Sequence, residues 1–149
     1  MRDWLLYGIP LALVSAAVVT DLRRREVSDY VPLSILGWAV IAKLLGLSPL
    51  SWTAMIVGPL LGLMISGPFY ALKGVAAGDV LLVAALGAVL GPIMLLKMLF
   101  WMALAGGVLA VAAALRGAKD LAYVPAIAAG LVVQTVWPNA LGGLLAAWR

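Results

Sequence analysis

The chain has 149 residues, 66% of them hydrophobic and 11% charged, with a mean hydropathy of +1.16. That composition excludes an ordinary soluble domain and places the chain in a bilayer, as one all-α, polytopic domain over 1–149. Cysteine and histidine are both missing, which removes thiol nucleophiles, disulfides, imidazole bases and the usual zinc ligand sets, so no metal or cofactor is expected and acid–base work falls to carboxylates.

Uncharged runs at 4–20, 44–72, 80–96, 98–115 and 121–148 are long enough to cross a membrane, which takes roughly 20 apolar residues. They predict about six transmembrane helices, near 4–20, 31–47, 52–72, 79–96, 98–115 and 122–147. The first ends in Ala16-Ala17-Val18-Val19-Thr20 and is followed directly by Asp21. A helix end disfavours negative charge, so a capping role fails for Asp21; pairing with Arg24 or Arg25 and a chemical role both stay open. Arg23, Arg24 and Arg25 follow the apolar run instead of preceding it, the reverse of a signal peptide, so the helix is read as a retained span. Glu26 is a loop charge, and Asp29 suits the cap of the second helix, whose far end carries Lys43, long enough to snorkel.

The third helix holds Gly58-Pro59, Gly67-Pro68 and small residues at Gly58, Gly62 and Ser66, a spacing that lets backbones approach. The fourth opens at Asp79 after Gly74-Val75-Ala76-Ala77-Gly78, where an N-cap role is as reasonable as a chemical one. It carries Gly87 and Gly91, the latter before Pro92; the Gly-Pro pairs are expected to kink or end helices, and Lys97 divides the fourth helix from the fifth. Gly106, Ala110 and Ala114 repeat the small-residue spacing, and Asp120 suits the cap of the last helix. That helix contains Gln134 and Thr135, expected to bond neighbouring helices, and a bend or break at Trp137-Pro138-Asn139. Trp4, Trp52, Trp101, Trp137 and Trp148 fall near predicted ends or outer segments, as interfacial anchors.

The net charge of +4 reads as topology, with no nucleic-acid partner expected. Arg23, Arg24, Arg25, Lys73, Arg116 and Lys119 follow the first, third and fifth helices, against Arg2, Lys43, Lys97 and Arg149 on the other side. The positive-inside rule puts the richer side in the cytoplasm and both termini outside a cytoplasmic (inner) membrane. Asp3 is then an outer, solvated charge, whereas Asp21 and Asp79 share the cytoplasmic face at similar depth. Two carboxylates that meet share a proton, the arrangement of an aspartic protease: one takes a proton from water while the other hydrogen-bonds the scissile carbonyl. A helix start favours negative charge and a helix end resists it, so Asp79 is assigned as base and Asp21 as acid.

Two segments resemble the type IV prepilin peptidases, or prepilin leader peptidases. Asp21-Leu22-Arg23-Arg24-Arg25-Glu26-Val27-Ser28-Asp29 is similar to that family's aspartate, basic cluster and Pro-Asn, and Ala76-Ala77-Gly78-Asp79 to its Gly-x-Gly-Asp motif; Tyr123-Val124-Pro125-Ala126 looks like its late proline segment. The resemblance implies a Gly-x-Gly-Asp-type bundle, with Asp21 and Asp79 as catalytic residues. It implies cleavage of the basic leader from type IV prepilins, pseudopilins or related filament subunits, whose hydrophobic N-terminal helix lies in the lipid bilayer. The size is like that of short members without the cysteine-containing cytoplasmic domain, so N-methyltransferase activity is not expected. Ala76 stands where the family has glycine, Leu81 where it commonly has lysine, and Ser28-Asp29 where Pro-Asn is usual. The competing readings are a presenilin-like intramembrane protease, or a small transporter or secretion or pilus assembly subunit using Asp21 and Asp79 as a proton or cation site.

Overall fold

The computed structural model describes residues 2–24, 30–72, 74–115 and 124–137, and the described residues are helical apart from short connections. The elements are α1 (Arg2–Arg24), α2 (Tyr30–Leu44), α3 (Trp52–Ala71), α4 (Ala77–Leu115) and α5 (Val124–Val136). Two of them, α3 and α4, are long and apolar enough to cross a membrane. With the composition, they make this a membrane protein.

The predicted fourth and fifth helices join end to end within α4, as two helical segments that meet at a kink. Lys97, the expected boundary, lies inside α4, and the change of direction falls earlier, at Gly91 (φ 73°, ψ 172°). Laid straight, its 39 residues would run about 58 Å, nearly twice a hydrocarbon core, so a bend is needed to keep them in apolar surroundings. Lys97 does not supply it because a helix carries a lysine at no backbone cost, whereas Gly91 adopts a left-handed φ closed to most residues. The leucine side chain of Leu50, just before α3, packs against Gly91 where a Cβ would otherwise sit. The other two Gly-Pro pairs remain within α3, which carries Pro59 and Pro68 without interruption. A Gly-Pro pair therefore permits a kink and does not compel one.

The centre of the bundle is the first half of α4, buried on every side from Leu82 to Gly91. Against it α3 runs antiparallel at backbone contact: a Cβ on Gly87 would stand 2.5 Å from the Gly58 carbonyl oxygen, and one on Gly62 3.0 Å from the Ala84 Cα. The stripe Gly58, Gly62 and Ser66 is therefore a packing seam, and all three are buried. The outer face of α3, with Ile56, Leu60, Leu63, Met64 and Phe69, is exposed and apolar, as lipid requires. Beyond the kink, α5 runs antiparallel to the second half of α4, where a Cβ on Gly130 would lie 2.7 Å from the Met98 carbonyl oxygen. Of the third small-residue stripe, Gly106 makes ordinary contact with Ala126, and Ala110 is exposed.

Helix α1 packs on α5 and α2 and touches α4 only lightly. Its buried face runs through Leu6, Pro10, Val14 and Ala17. Pro10 has no N–H to give the carbonyl one turn earlier, that of Leu6. The indole N–H of Trp38, on α2, donates to that carbonyl oxygen at 3.2 Å. At the far end of α2, the Lys43 ammonium donates to the Leu50 carbonyl and lies 5.8 Å from the Trp52 ring centroid, tying down the turn that leads to α3.

Two smaller expectations change. Trp101 lies well inside the second segment of α4, stacked edge-on with Phe100, because the boundary expected near it falls earlier, at Gly91. Thr135 bonds its own helix, donating to the Leu131 carbonyl at 2.9 Å, the local alternative always within reach of a helical threonine. The predicted last helix begins as α5 at Val124, with Pro125 in its first turn where the missing N–H costs nothing. The expected bend at Pro138 lies outside the described residues.

Candidate functional site

The carbonyl of Ala76 accepts from the backbone N–H of Asp79 at 3.2 Å and from that of Val80 at 3.3 Å. Ala76 is thus the cap position, Ala77 the first helical residue and Asp79 the third. The N-cap role considered for Asp79 does not apply. Its charge still sits in the first turn, where the positive end of the helix dipole stabilises it.

Asp79 is only 5% exposed. It lies on the same helical face as Leu82, Val83, Leu86 and Leu90, all of them buried, so the carboxylate heads the face that α4 turns to the bundle interior. Leu81 is two residues away, about 200° around the helix, and 45% exposed. The departure from lysine at this position therefore falls on the outward side, away from Asp79. Ala76 and Ala77 are exposed and Gly74 beside them is too, so nothing bulkier than a methyl group on these residues stands at the helix entrance.

Asp21 lies in the last turn of α1, which runs four residues past the predicted end at Thr20. The structure describes its backbone position and not its side chain. It remains at the negative end of the helix dipole, as expected. Asp29, Glu26, Arg25, Asp120 and Lys73 lie outside the described residues, as do Ser28, Tyr123 and the side chain of Asp3. Among the described residues, no three His, Cys, Asp or Glu side chains gather as a metal site would need.

Two residues that the sequence reading passed over join α1 to α2, Pro10 and Trp38. The signal was present: a proline inside an apolar helix leaves a carbonyl that lipid cannot satisfy, so a donor must come from a neighbouring helix. Buried Gly130 was also missed, because a lone glycine in an apolar run gives no hint of which backbone it meets.

The sequence pattern of the type IV leader peptidase family matches residues 8–111, a segment that contains both Asp21 and Asp79. The chain is 31% identical over 151 aligned residues to the prepilin leader peptidase/N-methyltransferase of Bacillus subtilis (strain 168), an alignment covering 91% of this chain. It spans 60% of that relative's length. No solved structure matches the chain.

Proposed function

This chain belongs to the type IV leader peptidase family, and on that footing we propose that it is a membrane aspartyl endopeptidase with Asp21 and Asp79 as its catalytic pair. Its substrates are prepilins, pseudopilins or related filament subunits, cut where a short basic leader meets the apolar N-terminal helix, on the cytoplasmic side of a multi-pass bundle.

The observation that carries the reading is the placement of Asp79, a carboxylate buried at the head of the innermost helix of an apolar bundle. A charge kept in such a place is expensive and marks a functional group by default. Helix α1 supports the pairing. The next position in its buried series 6, 10, 14, 17 is 21. The Tyr7 hydroxyl meets the Met94 sulfur at 3.9 Å, which sets the start of α1 beside the kink at Gly91. From that contact Asp21 lies fourteen residues along α1, about 21 Å, and Asp79 fifteen residues back along α4, about 22 Å. The excess of basic residues after the first, third and fifth predicted helices supports a cytoplasmic position for this end.

Chemically, one carboxylate takes a proton from the attacking water as the other hydrogen-bonds the carbonyl oxygen of the scissile bond. A peptide can approach over Ala76 and Ala77, whose small side chains leave the backbone of the first turn accessible. The proposal covers proteolysis alone. Its test is to co-reconstitute Asp21→Asn and Asp79→Asn variants with a tagged type IV prepilin and follow loss of the leader by gel shift. Both variants should leave the precursor intact, and unchanged processing in both removes the protease reading.

A further inference from the structure

Helix α1 carries one member of the proposed pair, yet it touches α4, which carries the other, only lightly. Something other than direct packing must set the angle between them. The proline at position 10 makes that angle soft, since it removes one helical hydrogen bond and crowds the Leu6 carbonyl. Both residues are fully buried, so the freed carbonyl cannot turn to water. The Trp38 indole N–H, from α2, donates to it at 3.2 Å. Helix α2 in turn packs on α4. The chain of contacts thus runs from the Asp79 helix through α2 and the Trp38 hydrogen bond to the proline of α1, and then along α1 to Asp21.

We propose that Trp38 is a positioning residue for the cleavage reaction: its indole N–H stands in for the hydrogen bond that Pro10 cannot make and fixes the direction in which α1 delivers Asp21. The inference rests on the proposed role of Asp21 and Asp79. The lever is long. Position 21 is eleven residues beyond the proline, about 16 Å along the helix, so a bend of about 10° moves it by about 3 Å. A misplacement of about 1 Å is enough to cost roughly a hundredfold in rate.

The test uses Trp38→Phe, which keeps an aromatic ring and removes the N–H, and the double variant Pro10→Ala with Trp38→Phe, in which residue 10 regains a backbone N–H for the Leu6 carbonyl. Cleavage of a tagged type IV prepilin is measured in phosphatidylethanolamine/phosphatidylglycerol vesicles. In parallel, spin labels on cysteines placed at exposed Val19 and Ala77 report the distance between the two helices; the chain has no cysteine of its own to interfere. Trp38→Phe should lower kcat at least tenfold with KM within about twofold, and broaden or shift the label distance. Adding Pro10→Ala should bring kcat back to within about threefold and restore the distance.

Unchanged kcat and distance in Trp38→Phe overturn the proposal. So does a loss that Pro10→Ala does not repair, because the ring would then act by filling space. If Trp38→Phe alone fails to fold, recovery of a folded, active double variant supports the clamp and failure of both variants overturns it. Wild-type cleavage by both Asp21→Asn and Asp79→Asn would instead remove the protease reading itself, while the label distances would still decide whether Trp38 sets the angle of α1.

Discussion

The two helices that carry the candidate acids are held by opposite means. The first half of α4 is gripped along its length, with Gly87 against Gly58 and Ala84 against Gly62 at backbone contact and every residue from Leu82 to Gly91 buried. Helix α1 presents one buried stripe, contains a proline, and depends at that proline on a single side-chain hydrogen bond from α2. The difference teaches where precision comes from in an apolar bundle. Where hydrocarbon surrounds the helices, association has no hydrophobic drive of its own, so either backbones must approach closely or a polar bond must bridge. The helix of one acid shows the first device and the helix of the other the second.

The comparison can be pressed hardest at the acids themselves. If both ends of the pair take part in proton transfer, Asp21→Asn and Asp79→Asn should each reduce prepilin cleavage by about 10²- to 10⁴-fold despite the unlike surroundings of their helices, measured as initial rates on reconstituted protein. A large loss from one and none from the other would break the symmetry of the pair.

Next in size is the seam under α4. Gly58→Ala drives a methyl group into the Gly87 carbonyl, backbone against backbone, and should destabilise the fold by about 3 kcal/mol, at the upper end of overpacking effects. The readout is thermal unfolding in detergent together with the yield of monodisperse protein. Gly62→Ala, whose Cβ would stand 3.0 Å from the Ala84 Cα, should cost less. Equal effects would show that the helices can slide apart and that the grip on α4 is looser than its geometry says.

Gly91→Ala comes third. Its positive φ with extended ψ, a combination held almost only by glycine, should cost about 1–3 kcal/mol, while the Leu50 methyl group that a Cβ would meet at 2.8 Å lies at the tip of a side chain and can move aside. The smallest effect, of opposite sign, belongs to Gly37→Ala and Gly107→Ala. A Cβ at either position meets open space, and each replacement should raise stability by about 0.5–1 kcal/mol in the same melt.

Part of the packing was legible along the chain. The carboxylate at 79 announced itself because so few acids exist in so apolar a chain, and the small-residue spacing at Gly58, Gly62 and Ser66 did mark a seam. The boundary between the fourth and fifth helices was misjudged, since a lysine looks like a helix end in a membrane and yet sits in α4 at no backbone cost. The cap role for Asp79 was misjudged by a turn for a related reason: Ala77 and Gly78 lack any polar signal of a helix start, and α4 starts there nonetheless.

Composition, the spacing of small residues and the run of charges determined that this is a membrane-embedded helical protein, because hydrocarbon leaves unpaired backbone no alternative. Those signals are local and survive without knowing which helix meets which. Only the tertiary structure decided that one Gly-Pro pair of three would kink, that Asp79 would face inward and Leu81 outward, and that Trp38 would answer Pro10. Each of these depends on what lies across a helix interface: the side chain beside Gly91, the neighbours of one face of α4, the donor opposite an orphaned carbonyl. No spacing along a single chain encodes them.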